Sequence, residues 1–207
     1  IGTVDVKDTS KEELSKMMVG RDISFTVDKS PADPKDVVLS VRNVTVPSKI
    51  HKNNAVKDVS FDVRAGEIVC LAGIDGNGQT EFVSALTGLE KMSAGTIHLA
   101  GKDLTKASIR ERSVAGMSHI PEDRHKHGLV LDYSLEENMI LQRYWEPQFQ
   151  KGGFLKFDAM RTYAENRIEK FDVRSGQGPI TIARSMSGGN QQKAIIAREV
   201  DKKHELL

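Results

Sequence analysis

The stretch EIVCLAGIDGNGQTEFVSAL, residues 67–86, carries the reading of the fold. EIVCLAG is a continuous apolar run, the pattern of a strand buried on both faces of a parallel sheet. Gly73, Gly76 and Gly78 follow, and then Phe82, Val83, Leu86 and Leu89 keep helical spacing. Strand, glycine loop and helix in that order are what an anion nest requires. Glycine lets successive N–H groups turn inward, and the helix start adds its positive dipole end. Thr80 supplies a hydroxyl placed to coordinate Mg²⁺. The residue before it is Gln79, where such a loop carries lysine. A hydrogen bond to a charged group contributes about 1.5–3 kcal/mol. Its loss weakens binding by roughly 10–100-fold while the backbone nest remains. On the loop alone two readings stay open: a nucleotide phosphate site without its strongest charge, and a glycine-rich turn with no ligand.

Outward from the loop, VVLSVRNVTV and AVKDVSFDVRAG alternate like strands, and AGTIHLAGKDL returns to alternation after the helix. GMSHIPED reads as a further strand running into a loop. From Ser134 helical patterns dominate: Ser134 and Glu137 form a capping box, and Met160, Ala164, Ile168 and Phe171 make one stripe, read as core packing. A last helix is expected near Ser187. At the other end IGTVDV alternates like a strand, and SKEELSKMMVG reads as a short helix capped by Ser10 with Glu13 and stopped by Gly20. Residues 1–24 form a small unit, and 25–36, with DKSPADPKD, form a linker. The chain opens without methionine and stops on KKHELL, which reads as the start of a strand, so a piece of a longer protein is expected.

The 207 residues suffice for one full domain. A net charge of +1 offers no broad electrostatic case for nucleic acid, and no apolar run is long enough to span a bilayer. Cys70, the single cysteine, excludes an internal disulfide framework and is expected as a buried thiol in a reducing, cytoplasmic setting.

A second motif narrows the function. In SMSGGNQQK, residues 185–193, a hydroxyl and open backbone N–H groups again stand at a helix start. Following the glycine loop across a helical block, the pair resembles the nucleotide-binding domain of ABC transporters. GIDGNGQT stands at the Walker A position and MSGGNQQK at the signature motif. HIPEDRHKHGLVLDYSLEENM matches the segment that carries the Q-loop into the helical subdomain. Together with the lysine-less loop, PEDR and SGGNQQK resemble the second cassette of tandem-cassette importers for sugars and nucleosides. AGIDGNGQTE, IPEDRHKHGLVL and AREVDKKHELL are most similar to the nucleoside branch associated with basic-membrane-protein-type lipoproteins.

The resemblance implies an α/β P-loop NTPase fold of ABC type. It comprises an antiparallel β subdomain, a parallel core sheet and a helical subdomain at about 130–198, and the chain stops before Walker B. Residues 1–24 would be the tail of a first cassette, and 37–207 part of the second. ATP and Mg²⁺, weakly held or absent, would lie on Gly73, Asp75, Gly76, Asn77, Gly78, Gln79, Thr80 and Glu81, with Thr80 toward the metal. Glu122 stands where the Q-loop glutamine is expected; the alternative is a solvated loop charge. Ser187, Gly188, Gly189 and Asn190 would complete the site of the other cassette of the same chain. Val46 takes the place of the usual adenine-stacking aromatic. The face with Tyr144, Trp145, Phe149, Phe154 and Phe157 would meet transmembrane permease subunits at the cytoplasmic face of the membrane, served indirectly by a substrate-binding lipoprotein. An exposed Trp145 would support that contact, and a buried one would speak for packing. No catalytic residue is expected in residues 1–207, and no ATPase activity from them alone. The remaining alternative is a non-catalytic nucleotide-binding or dimerisation module. ABC ATPases of DNA repair would need coiled-coil insertions or zinc cysteines, and neither is present.

Overall fold

A computed structural model describes residues 2–20, 22, 29–50 and 52–207. The chain divides into two compact units, residues 1–33 and 34–207. In the first, α1 (Lys11–Val19) begins at Ser10, whose hydroxyl accepts the Glu13 N–H at 3.1 Å, and ends at Gly20 with φ 78°. The expected strand at IGTVDV is not formed at residues 2–6. Val6–Asp8 make one 3₁₀ turn instead, because alternation alone does not hold a strand that has no partner. Ile1 and the linker positions 25–28 lie outside the described residues.

The second unit starts with β1 (Val37–Pro47) and β2 (Asn54–Arg64), which pair antiparallel. Leu39, Val41, Val44 and Val46 all face the core, so the two-residue period breaks between 41 and 44. A bulge absorbs the extra residue: the pairing shifts register there, and Asn43 takes φ 50°. The Asn43 amide donates to the Asp58 carboxylate at 2.7 Å, and its N–H to the Ser60 hydroxyl at 2.8 Å, so the freed polar groups are satisfied. After α2 (Gln79–Thr87), β3 (Ala94–Leu99) pairs with the other edge of β1, and β4 (Lys102–Asp103) pairs with β3. The strand order is β2-β1-β3-β4. Ala100 and Gly101, both at positive φ, make the two-residue hairpin between β3 and β4.

α3 (Ile109–Val114) starts on a full Ser108–Glu111 capping box. The buried Arg112 donates to the Leu86 carbonyl at 2.7 Å, satisfying an orphan acceptor at the end of α2, and to the Ala107 carbonyl ahead of α3 at 3.0 Å. α4 (Leu135–Ile140) starts on the Ser134–Glu137 capping box, as its sequence predicts. The hairpin β5 (Gln150–Lys151) and β6 (Phe154–Leu155), then α5 (Phe157–Lys170) and α6 (Gly188–Asp201), complete the chain.

Two apolar cores follow. One gathers the sheet, Phe82 and Ala85 of α2, and Met117. The other gathers Leu135, Met139, Phe149, Met160, Ala164 and Ala197 around the helices, with Ile168 and Phe171 packed against it. The stripe on α5 is therefore core.

The expected parallel sheet is reduced, among the described residues, to one parallel bridge between Met117 and Leu206. EIVCLAG forms no strand, and Ile68 is 92% exposed. Cys70 is exposed rather than buried. A doubly buried strand needs hydrogen-bonding neighbours, and among the described residues no strand pairs with 67–73. GMSHIPED likewise forms no ladder beyond that one bridge.

Candidate functional site

The glycine loop leads directly into α2. Gly76 and Gly78 take φ 83° and 95°, and the Asn77 N–H closes a turn onto the Ile74 carbonyl at 3.2 Å. Gly78 is required by space as well as by φ: a Cβ there would lie 2.3 Å from the Ala55 carbonyl oxygen of β2. The loop is thus seated on the sheet, and α2 is held by Phe82 against Phe61, ring centroids 5.6 Å apart.

Gln79 turns back into this loop. Its amide donates to the Ile74 carbonyl at 3.4 Å and lies where a Cβ on Gly73 would be, 2.0 Å from that position. Thr80, one residue on, donates its hydroxyl to the Glu122 carboxylate at 3.3 Å. The structure therefore brings Gly73, Gln79, Thr80 and Glu122 together, and Glu122 stays exposed while it accepts from Thr80. Asp75 and Asn77 stand exposed, and Glu81 is half-buried in the first turn of α2. Val46, paired with Val56 of β2, is fully buried in the sheet core and offers no exposed surface for the expected adenine contact.

The segment after Glu122 turns tightly at Arg124–Gly128, where the Asp123 carboxylate accepts the His125 and Lys126 N–H groups at 2.9 and 3.0 Å. Those backbone bonds hold the Asp123 carboxyl below its ordinary range. Gly128 then packs on α6, where a Cβ would meet Ile195 Cδ1 at 2.5 Å. Arg124 and His125 both reach Gln191 Oε1, at 3.1 and 3.0 Å. Sequence reasoning singled out neither these two residues nor Gln191. The partners are 66 and 67 positions apart, so no local pattern links them.

Ser187 caps α6 through its backbone alone. Its hydroxyl accepts from the Asn190 amide at 3.0 Å, and Asn190 Oδ1 accepts the Arg174 N–H at 3.0 Å. Ser187 and Gly189 are exposed. The glycine loop and the 187–190 segment are not in contact through any hydrogen bond among the described residues; the 121–128 segment lies between them.

α6 is anchored at its far end. Glu199, fully buried, accepts from Arg198 Nε at 2.9 Å, Lys202 Nζ at 2.8 Å, Gln142 Nε2 at 2.8 Å and the His119 N–H at 3.3 Å. Burial alone would raise its carboxyl, but Arg198 and Lys202 outweigh it and hold it below its ordinary value. Burial lowers the His119 imidazole, against the pull of Glu199.

A cleft of about 360 Å³ opens beside α3, lined by Leu89, Ile109, Arg110, His127, Tyr144 and Trp145 among others. Arg110 donates to the Tyr144 hydroxyl at 2.7 Å and lies over both the Tyr144 and Trp145 rings. Trp145 is half-buried, between the two expected states, with its indole N–H on the Gln142 carbonyl. Phe154 and Phe157 are exposed, whereas Phe149 is fully buried core and leaves the expected surface.

A glycine loop seated on an antiparallel sheet, a helical block, and a Ser-Gly-Gly helix start are joined here in one unit, and residues 56–207 match the ABC transporter family. The chain belongs to that family, and its fold is the ABC ATPase cassette fold, mixed α/β with an antiparallel sheet and helical parts. It is 48% identical, over its whole length, to the nucleoside import ATP-binding protein NupA of Lactococcus lactis subsp. cremoris. It is 46% identical to the guanosine import ATP-binding protein NupO of Bacillus subtilis and 40% identical to the glucose import ATP-binding protein TsgD13 of Haloferax volcanii. The chain spans 40% of the length of the first two relatives and 38% of the third. Among solved structures it is similar to the ATP-binding cassette MJ1267 of an ABC transporter, with a TM-score of 0.62 at 20% identity over 80% of this chain and 65% of that one. The dimeric cassette MJ0796 gives 0.62 at 19% identity over 78% of this chain and 68% of that one.

The residues present fit ATP with Mg²⁺ in kind. Thr80 and Glu122 offer hard oxygen donors, and Gly76 and Gly78 provide the backbone shape that phosphate needs. The Gln79 amide supplies a donor in place of an ammonium, and it is directed at Ile74.

Proposed function

We propose that this chain is part of the ATP-binding, energy-coupling subunit of an importer for nucleosides, working with transmembrane permease subunits from the cytoplasmic side. In this reading its glycine loop is the weakened half of one nucleotide site. Its 187–190 segment completes the hydrolytic site of a partner cassette in the same polypeptide. The observation that carries it is the contrast between two half-sites in one unit. Gln79 folds its amide into the glycine loop, while Ser187 and Gly189 stand exposed at the start of α6.

The resident residues would divide the work as follows. The loop backbone and the first turn of α2 hold phosphate oxygens, and Thr80 with Glu122 holds the metal. Bound ATP supplies the free energy for cassette closure. Ser187 and the N–H groups of Gly188 and Gly189 present donors and a positive dipole end to the nucleotide of the other site. The cleft between Ile109 and Trp145, with Arg110 between its rings, receives the permease. None of the described helices is long and apolar enough to cross a membrane, as a peripheral subunit requires. The nucleoside assignment rests on the relatives at 48% and 46% identity, whose names give nucleoside and guanosine import.

The test is uptake by vesicles carrying the full-length protein with its permease subunits. ATP-dependent accumulation of labelled guanosine, unaffected by excess ribose or glucose, is expected. Accumulation of a sugar without any of nucleosides would overturn the substrate assignment. The reading as a purely non-catalytic dimerisation module is favoured by the Gln79 contact. It predicts nucleotide binding and cassette pairing without turnover of ATP.

A further inference from the structure

The start of α6 is held from outside its own chain segment. Ser187 makes no side-chain cap to the helix, so the direction of the first turn depends on neighbours. The strongest of these contacts converge on Gln191, a buried amide one turn in. Its Nε2 donates to the Ala183 carbonyl at 2.9 Å, which fixes the amide orientation and aims Oε1 at the 121–128 segment. There it accepts from Arg124 Nε at 3.1 Å and lies 3.0 Å from His125 Nε2. Arg124 Nε also lies 3.2 Å from His125 Nε2, so that ring nitrogen donates to Oε1 in one tautomer and accepts from Arg124 in the other. The Arg124 guanidinium also covers Gly188: a Cβ on that residue would sit 2.9 Å from Arg124 Nη2. A cation beside a helix N-terminus opposes the helix dipole, so helix stability alone does not account for Arg124.

We propose that Arg124 is a positioning residue: through Gln191 and the Gly188 backbone it sets the direction in which residues 187–190 present their donors to the partner's nucleotide. This rests on the reading of those residues given under Proposed function. His125 and the Asp123-capped turn keep the guanidinium in place, and Gly128 against Ile195 fixes the same segment one turn further along α6. A planar guanidinium bonds Gln191 through Nε while Nη2 lies over the side of Gly188 that a Cβ would occupy, which a lysine ammonium on a flexible stem does not reproduce.

The experiment measures steady-state ATP hydrolysis by the full-length protein assembled with its permease subunits, at equal folded fraction judged from the unfolding midpoint. Arg124→Met is expected to lower kcat about 10-fold, the loss of one charge-assisted hydrogen bond. The KM for ATP should stay within about 3-fold, because the nucleotide is first captured by the other cassette's loop. Arg124→Lys should behave like Arg124→Met. Gln191→Met should lose a similar factor, and the double variant should be no worse than the poorer single one. Wild-type kcat in Arg124→Met, full recovery by lysine, or multiplicative losses in the double variant would each overturn the proposal. A wild-type complex that hydrolyses no ATP would instead overturn the functional reading beneath it.

Discussion

The Thr80 hydroxyl donates to the Glu122 carboxylate at 3.3 Å, across 42 positions of chain, and joins the first turn of α2 to the segment that ends against α6. A carboxylate therefore stands beside the hydroxyl expected to face a metal. Two unit charges about 4 Å apart interact by about 1 kcal/mol in water and about 4 kcal/mol at an effective dielectric of 20. Glu122→Gln in the full-length protein is expected to bind metal-free ATP about 5-fold more tightly, since the repulsion is removed. It should also show a smaller gain on adding Mg²⁺. Fluorescent-ATP titrations with EDTA and with Mg²⁺ measure both, and equal affinities in EDTA for the two proteins would refute the repulsion.

Gln79 gives the second expectation. Replacing it with lysine removes the amide contact to Ile74 and puts a charge where the loop directs phosphate. Gln79→Lys should tighten ATP binding by roughly 10–100-fold. If binding and uptake both stay at the level of the unaltered protein, the loop is not a weakened nucleotide site.

A third expectation concerns pH. Burial would raise the carboxyls of Glu199 and Asp201. The cations Arg198 and Lys202 around the first, and Arg167 and Lys170 around the second, outweigh it and hold both below their ordinary values. A carboxyl whose folded value is depressed contributes stability that is fully present above its unfolded value. That stability is lost as pH falls through the folded one. The protein should thus lose stability progressively as pH drops below the ordinary carboxylate range. Glu199→Gln leaves Arg198 and Lys202 without their shared carboxylate and should cost about 3–5 kcal/mol at neutral pH. It should also flatten the acid limb. Urea unfolding midpoints from pH 7 downward follow both effects.

The apolar run ahead of the loop offers a direct check on the tertiary arrangement. Cys70 is exposed and Ile68 is 92% exposed in residues 1–207. The Cys70 thiol in this chain should react fully with an aromatic disulfide reagent without denaturant. Ile68→Lys should change unfolding free energy by less than about 0.5 kcal/mol. A protected thiol, released only on unfolding, would mean that the run is paired and buried after all.

Much of the architecture could be read from local pattern. The capping pairs Ser108–Glu111 and Ser134–Glu137 form in the structure, and only the second was singled out from sequence. The α5 stripe packs inward at Met160 and Ala164. The alternating runs at 37–46 and 55–66 become β1 and β2, and the bulge at Asn43 that keeps Val44 and Val46 inward shows in the sequence as the two polar residues between Val41 and Val44. Val46, chosen by position, proved to be core because the bulge resets which face it takes.

Capping, helical stripes, glycine turns and strand alternation act within a few residues, and the sequence expresses them directly; from them came α1, α2, the later helical block, the long antiparallel strands and the glycine loop, but not α3 or the β5–β6 hairpin. Whether EIVCLAG is a strand, where the Gln79 amide points, that Thr80 meets Glu122, and that Arg124 and His125 hold Gln191 depend on groups distant in the chain. A strand exists only when another chain segment takes up its backbone hydrogen bonds, and a polar side chain takes its direction from whichever partner packing brings within about 3 Å.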